Sequence, residues 1–140
     1  MRFILTTISG VKYDGEVAEV GLPTLDGRIG VMDNHMPLFS VVAQGAIAIR
    51  KLPHDPDSAM EYFATYGGVI EVSQNTLRVL VDEAHQPDEI NEQEAQIAME
   101  RAKQMKISAK DQASLDHAQT IIDRQAVRLQ VASLRHRRRQ

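Results

Sequence analysis

Short runs of apolar and β-branched residues dominate the first 84 residues of the chain. Such runs, bounded by Gly, Pro, Asn or Asp, are typical of β-strands. The predicted strands cover residues 3–8, 16–22, 40–50, 60–66, 69–72 and 77–81. Residues 11–15 are predicted to form a turn, and at the pair Gly67-Gly68 the backbone is predicted either to bend or to be closely approached by another segment. Many short strands at this spacing favour an antiparallel β-sandwich or a barrel-like fold.

The periodicity changes at residues 87–91, and no proline or glycine follows Pro87. Apolar residues then recur at helical spacing on two segments. They are Ile90, Ile97, Met99, Ala102 and Met105 on the first predicted helix, and Leu115, Ala118, Ile122, Ala126 and Leu129 on the second. Ser108 is predicted to cap the start of the second helix.

Two helices of this length bury too little surface to be stable alone, so we expect them to pack against the sandwich or another subunit. The sequence therefore predicts an α+β chain. An antiparallel β-sandwich is expected over residues 1–86, and a two-helix antiparallel hairpin over residues 87–140.

The stretch from residue 25 to residue 39 is rich in both turn-forming and apolar residues. Its glycines permit a positive φ, Asn34 tolerates the left-handed region, and Pro37 favours an extended residue before it. One interpretation is a pair of β-turns that flank a short strand. The other is a shaped, apolar loop that docks onto a partner.

Composition and charge narrow the classes of function. The chain has 140 residues, which suits one domain or one small domain with an appendage. It has no cysteine, which excludes disulfides and cysteine-based chemistry. The first residues lack a signal-peptide pattern, and no apolar run of about 18 residues predicts a membrane-spanning helix. Seven basic and three acidic residues lie from Lys110 onward, against nine basic and sixteen acidic before it, so an acidic partner is expected for the tail.

Other chemistries have weaker support in the sequence. Asp33 and His35 could form an acid–base pair on a strand, but no nucleophile or third orienting group accompanies them. His54 with Asp55 and Asp57 could bind a cation, although a solvated loop fits the same residues. The arginine-rich tail lacks interleaved aromatic residues, so no nucleic-acid partner is expected.

Three segments, in order, resemble the epsilon subunit of F-type ATP synthases. Residues 26–38 resemble its G-x-x-G-(I/V)-x-x-G-H-x-P-L segment, residues 66–72 its GG-(F/I)-x-E-V strand, and residues 79–84 its V-x-V-L-A-D-x-A strand. The resemblance covers the whole chain. It implies a sandwich of about ten strands followed by two helices, as the periodicity also predicts.

The resemblance implies two contact regions on the sandwich. Gly27, Arg28 and Ile29 match the part that touches the ring of c subunits, and the residues that match the part facing the gamma subunit are His35, Met36, Pro37 and Leu38. Three positions depart from the family pattern. Arg28 stands where an acidic residue is common, Asn34 replaces a glycine, and Asp33 replaces a proline.

For the hairpin, the resemblance implies a regulatory element that extends along the stalk and blocks ATP hydrolysis. Arg124, Arg128 and Arg135 lie close to one stripe of the second helix and could bind an acidic segment of the catalytic beta subunits. Alternatively, they only favour the C-terminal end of a helix and keep it soluble. At the family's ATP-binding pattern, Asn91 replaces an aspartate and Glu94 replaces an arginine, so no nucleotide binding is expected there.

The resemblance implies a non-catalytic rotor subunit that couples proton-driven rotation of the c-ring to ATP synthesis. The expected partners are the gamma subunit, the c-ring and, transiently, the alpha and beta subunits. No cofactor or metal is expected. The implied location is the cytoplasmic face of the bacterial plasma membrane, reached only through the complex. The alternative function is a free-standing β-sandwich binding module with a helical oligomerisation tail.

Overall fold

The computed structural model describes the backbone of residues 1–139 and the side chains of residues 1–134. Within this range the strands are β1 (Arg2–Thr7), β2 (Gly10–Glu16), β3 (Glu19–Thr24), β4 (Gly27–Met32), β5 (Leu38–Arg50), β6 (Glu61–Ser73), β7 (Thr76–Val81) and β8 (Ala84–His85). The helices are α1 (Glu92–Ser108) and α2 (Gln112–Arg139). Short 3-10 turns lie at Asp57–Ala59 and Pro87–Glu89. A β-sandwich followed by two helices confirms the predicted fold class.

The strands form one hydrogen-bonded sheet in the order β2-β1-β7-β6-β5-β3-β4, and β8 pairs with β6. Its pairings are antiparallel except that of β1 with β7, which is parallel. The sheet folds over on itself, because Tyr13 of β2 and Phe63 of β6 lie three strands apart in this order, yet their ring centroids are 6.5 Å apart. The two halves therefore face each other and enclose one core.

Inward-facing positions of both halves supply that core. Its largest fully buried side chains are Phe3, Leu5, Leu22, Ile47, Ile49, Phe63, Ile70 and Leu77. Full burial of one such side chain is worth about 1.5–3 kcal/mol. The packed interior is therefore the main source of the sandwich's stability.

The two central strands are unusually long, at 13 residues each. β5 pairs with β6 along most of its length and also with β3 near its end, whereas β6 pairs with β7 at one end and β8 near the other. Because each long strand serves two sets of neighbours, eight continuous strands come close to the expected count of about ten.

One local prediction is wrong, and a second is confirmed in one of its two alternatives. Residues 11–15 are not a turn but lie in β2, since Tyr13 packs on the core and its ring contacts Phe3 at 5.4 Å. The pair Gly67-Gly68 does not interrupt β6. Gly67 adopts a φ of 127°, and a Cβ on Gly68 would lie 2.1 Å from the Leu80 carbonyl oxygen. The pair thus permits a close approach of β7, which is the second of the two predicted alternatives, and β6 continues through it.

Side-chain caps define the start of each helix. The Asn91 side chain accepts a hydrogen bond of 3.1 Å from the Glu94 backbone N–H at the start of α1. The start of α2 is capped by Asp111, which accepts a 2.7 Å bond from the Ser114 N–H. Ser108 is instead the last residue of α1, so the predicted cap is wrong. A carboxylate one turn later instead accepts from the Ser114 N–H, one of the otherwise unpaired donors in the first turn of α2.

Helix α2 packs on the outer face of β5 and β6, and α1 packs on α2. The cluster beneath α2 contains Ala46, Ala64, Ile90, Val127, Val131 and Ala132, with Tyr62 and Tyr66 at its border. Ala95 and Ala102 of α1 and Ala118 of α2 are also buried, which brings the two helices close together. The hairpin therefore packs against the sandwich, as its small apolar surface requires.

Candidate docking surface

The outer face of the central strands is only half covered by α2. On its uncovered half, Val41 of β5 lies opposite Val69 of β6, which lies opposite Leu80 of β7. These side chains are 51%, 50% and 54% exposed, and nearby Phe39 is 82% exposed. We call Phe39, Val41, Val69 and Leu80 the open face. A contiguous apolar surface of this kind is typical of a protein–protein contact.

A shallow depression of about 310 Å³ lies where the open face meets the part covered by α2. Val69 and Leu80 line one side of it, together with Ile8 from the β1–β2 turn, and Tyr66 lines the other. The close approach of Gly68 to β7 lies in its floor. A partner on the open face would therefore also lie beside Tyr66.

The residues expected to face gamma form the turn that leads into β5. Met36 is 72% exposed, and His35 Nδ1 lies 2.7 Å from the Met36 carbonyl oxygen. Pro37 is exposed, whereas Leu38 is half-buried and packs against the core. Because Leu38 is the first residue of β5, this turn runs directly into the open face.

The same turn is fixed at its base. Asn34 has a φ of 63°, the left-handed geometry that asparagine tolerates, and its N–H donates a 2.8 Å bond to the Asn75 side chain. Asp33 forms an ion pair of 2.5 Å with the amino group of Met1, which holds the pKa of Asp33 below its usual range. Asp33 and His35 thus have separate partners and do not form the acid–base pair that was considered.

The residues expected to touch the c-ring lie at the turn between β3 and β4 and on β4. The stretch 25–39 therefore consists of two turns that flank a short strand. Gly27 has a φ of 118° and is exposed, beside Leu25, which is 81% exposed. Arg28 reaches back over β3 and donates a 3.0 Å bond to the Ala46 carbonyl oxygen, and Ile29 packs against the core.

A second group of contacts holds α2 against the edge of the open face. Arg128 Nε donates a 2.9 Å hydrogen bond to the Tyr66 hydroxyl, and the Arg124 guanidinium lies 4.6 Å from the Tyr66 ring centroid. Arg124 also lies 3.8 Å from the Glu83 carboxylate. The Tyr66 hydroxyl is 3.2 Å from Nδ1 of His85. We call these five residues the Tyr66 cluster. The side chain of the third predicted arginine, Arg135, lies outside the described residues.

Burial perturbs both titratable rings of this cluster. Burial raises the pKa of Tyr66, and the nearby Arg128 and Arg124 partly oppose that rise. The pKa of His85 is lowered, first by burial and then by the positive charge of Arg128. Both rings are therefore favoured in their neutral forms. Arg128, by contrast, is a cation held by a neutral hydroxyl.

The loop of His54, Asp55 and Asp57, for which a cation site and a solvated loop were the two interpretations, is held by hydrogen bonds and an ion pair within the chain. Arg50 donates to the Asp55 carbonyl oxygen and lies 2.7 Å from the Asp57 carboxylate, and the Asp55 carboxylate accepts a bond from the Leu52 N–H. In the part of the chain that the structure describes, no cluster of three His, Cys, Asp or Glu residues is arranged to hold a metal. Likewise, no helix described here is both long and apolar enough to cross a bilayer.

Comparison with known proteins identifies the fold and the family. The family model described as the β-sandwich domain of the ATP synthase delta/epsilon chain matches residues 1–87. The ATP synthase epsilon chain of Herpetosiphon aurantiacus is 33% identical to this chain, over 96% of this chain and 95% of its own length. The chloroplastic epsilon chain of Oltmannsiellopsis viridis is 36% identical over 94% and 96%. The chain belongs to the family of ATP synthase epsilon chains.

Solved structures agree with this epsilon-chain fold. A chain in the mitochondrial ATP synthase of Euglena gracilis, solved with OSCP, F1 and the c-ring, superimposes with a TM-score of 0.80 at 19% identity. The superposition covers 94% of this chain and 79% of that one. The family match also replaces the alternative of a free-standing binding module with a helical oligomerisation tail.

Sequence reasoning missed most of this candidate docking surface. The open face was not predicted, although adjacent residues of β5, Val41 and Val42, are both large and apolar while only Val42 is buried. Large apolar residues on both faces of a strand are typical of a strand that is buried on both faces, and this was the available signal. The role of Tyr66 had no sequence signal, because it depends on where α2 crosses the sheet.

Proposed function

We propose that this epsilon chain is a non-catalytic subunit of the central stalk, which binds the gamma subunit and the c-ring and couples proton-driven rotation of that ring to ATP synthesis. Family membership carries the general role. The open face supports the specific role of binding partner subunits, since an exposed apolar surface next to a fixed turn is suited to a permanent protein contact. The fully packed core gives the stiffness that transmission of torque requires.

The gamma subunit is the proposed occupant of the open face. The turn of His35, Met36, Pro37 and Leu38, which the family resemblance assigns to gamma, continues directly into Phe39 at the edge of that face. One partner can therefore cover both. Burying the exposed halves of these side chains would supply the apolar core that stable interfaces have.

The c-ring is the proposed partner of the turn that carries Gly27, Arg28 and Ile29. Of these, Gly27 presents its backbone at the tip, and Ile29 holds the strand against the core. Arg28 is exposed and has one guanidinium nitrogen on Ala46, so it can present its positive charge to the ring. Other family members commonly have an acidic residue at this position, which would suit a basic loop of the ring. With Arg28, an acidic or polar loop of the ring would give better charge complementarity.

The hairpin is proposed to regulate hydrolysis by moving between the docked state and an extended state. In the docked state Arg124 and Arg128 are bound to Tyr66 and Glu83. They must leave these partners before they can pair with an acidic segment of a beta subunit, as we propose for them and for Arg135. The two states therefore compete for the same two side chains.

Nucleotide sensing through the start of α1 is not part of this proposal. Asn91 uses its side chain to cap α1 through the N–H of Glu94, and Glu94 would repel a phosphate. The subunit is proposed to act at the cytoplasmic face of a bacterial plasma membrane, and to reach the membrane only through the complex.

The test of the proposed function is association with gamma. Leu80→Glu places a charge in the middle of the open face, and we expect it to abolish the stoichiometric complex with gamma in co-purification. The matched control is Leu52→Glu, because Leu52 is 64% exposed but lies in the β5–β6 loop. Substitutions at exposed positions change folding stability by only about 0.5 kcal/mol. Full binding by Leu80→Glu, or equal loss with Leu52→Glu, would remove the open face as the gamma site.

A further inference from the structure

We propose that His85 makes the docking of α2 sensitive to protons: the Tyr66 cluster holds the helix while His85 is neutral, and protonation of His85 releases it. This inference rests on the proposed movement of the hairpin between docked and extended states. It concerns the cause of that movement, which the proposed function leaves open.

The donor and acceptor roles in the Tyr66 cluster require a neutral His85. Arg128 has no acceptor atom, so its Nε–H must donate to the Tyr66 oxygen across the observed 2.9 Å. The Tyr66 hydroxyl hydrogen is then available for Nδ1 of His85 at 3.2 Å. Nδ1 can accept it only when that nitrogen has no proton. The relay from Arg128 through Tyr66 to His85 therefore requires a neutral imidazole with its hydrogen on Nε2.

Protonation of His85 breaks this relay. Both ring nitrogens of the cation are donors, so the Tyr66 oxygen would have to accept from His85 and from Arg128 together. Two positive groups would then meet at one hydroxyl, while Arg124 occupies the face of the same ring at 4.6 Å. Like charges at such distances repel strongly where water is partly excluded. Moving α2 away removes both arginines at once.

The other charged groups around His85 do not cancel this effect. Glu83, in the β7–β8 turn, and Glu89, in the 3-10 turn, favour the protonated form, whereas Lys12 on β2 opposes it. Each of these carboxylates already faces a cation: Glu83 lies 3.8 Å from Arg124 and Glu89 lies 4.0 Å from Lys12. Together these influences hold the pKa of His85 below its ordinary value of 6.5, because burial and then the positive charge of Arg128 outweigh the two carboxylates.

The sign of the pH dependence follows from that direction. When α2 leaves, His85 regains solvent and loses Arg128, so its pKa returns toward the ordinary value. The released state then binds protons more readily than the docked state. Docking is accordingly at full strength above about pH 6.5, and it weakens as the pH falls through the range below that value.

The experiment measures docking directly in the full chain. The chain has no cysteine, so Ser58→Cys and Ser133→Cys can carry a donor and an acceptor dye on the sandwich and on α2. Both positions are exposed, one in the Asp57–Ala59 turn and one in α2. We expect energy transfer to fall several-fold between about pH 8 and pH 5, the range over which histidine titrates.

Two variants decide the cause. His85→Asn keeps an oxygen that can accept from Tyr66 but does not titrate, so its energy transfer should stay high and constant over this range. His54→Asn, at an exposed loop histidine, should behave as the parent chain. Constant transfer in the parent, or the same decline in His85→Asn, would overturn the proposal. Since neither gamma nor ATP is present, the outcome is independent of the co-purification test of the proposed function.

Discussion

Tyr66 is the residue at which the two surfaces of this molecule meet. Its ring lines the depression at the edge of the open face, and its hydroxyl and ring hold two arginines of α2. The neighbouring Gly67-Gly68 pair brings β7 close behind it. A single side chain therefore contacts both the helix and the border of the proposed gamma surface.

The first prediction concerns the Tyr66 hydroxyl. Tyr66→Phe keeps the ring for Arg124 but removes the oxygen that Arg128 and His85 share, a charge-assisted bond worth about 1–2 kcal/mol. We expect the ratio of released to docked hairpin to rise by roughly five- to thirty-fold. The energy transfer between dyes at positions 58 and 133, measured near neutral pH, reports this ratio.

The matched control for this prediction is Tyr62→Phe. Tyr62 also lies at the border of the cluster beneath α2, but among the described residues its hydroxyl makes only a weak contact of 4.0 Å, with the Met60 sulfur. It should leave docking nearly unchanged. An equal effect of the two substitutions would mean that general packing of the tyrosine rings, rather than the Arg128 bond, holds the helix.

At the scale of the element, the stability of helix α2 depends on the cap at its N-terminus and on the apolar face that packs on the sheet. Val127 and Val131 bury the face toward the sheet, while Asp111 caps the N-terminus. The bond from the Ser114 N–H lowers the pKa of Asp111 below its ordinary value. The cap is therefore complete at neutral pH, and it is lost only as the pH falls into the range where this carboxylate is protonated.

We predict that Asp111→Ala lowers the melting temperature of the hairpin, because the Ser114 N–H in the first turn of α2 loses its acceptor. Asp111→Asn is the control, since asparagine caps helices about as well and should retain most of the stability at neutral pH. Circular dichroism at the helical band measures both. The variants also differ at acidic pH. There the melting temperature of the parent chain should approach that of Asp111→Ala, while the contribution of the cap in Asp111→Asn should not change. Identical melting of all three chains would contradict the assigned cap.

The type of each element could be predicted from periodicity, because apolar residues that face a core repeat at different intervals in a strand and in a helix. The short strand at Gly27–Met32 and the hairpin of β6 and β7 could be predicted on that basis. The strand Gly10–Glu16 could not, since its burial pattern depends on Tyr13 reaching a distant Phe63 across the folded sheet. The same limit applies to Arg124 and Arg128. Their helical stripe was visible, but Tyr66 as their docked partner was set by tertiary packing.

At the scale of the whole molecule, the docked state binds Arg124 and Arg128 to the sandwich, and the proposed extended state would use the same arginines for a different partner. Substituting Arg128 would weaken both states, so its effect on hydrolysis has no definite sign. Tyr66 contacts Arg128 only in the docked state. Weakening Tyr66 should therefore shift the population in one direction, toward the extended state, because only the docked state loses free energy.

The last prediction uses this difference in the assembled catalytic complex. A chain that stops after Asp88 lacks both helices, so ATP hydrolysis should rise several-fold while gamma remains bound. Tyr66→Phe in the full chain should lower hydrolysis, because more of the hairpin is released to inhibit. Opposite signs for the two changes require both a docked state and an inhibitory released state. If truncation leaves the rate unchanged, the helices do not inhibit; if Tyr66→Phe raises it, release of the hairpin from the sandwich relieves inhibition instead of causing it.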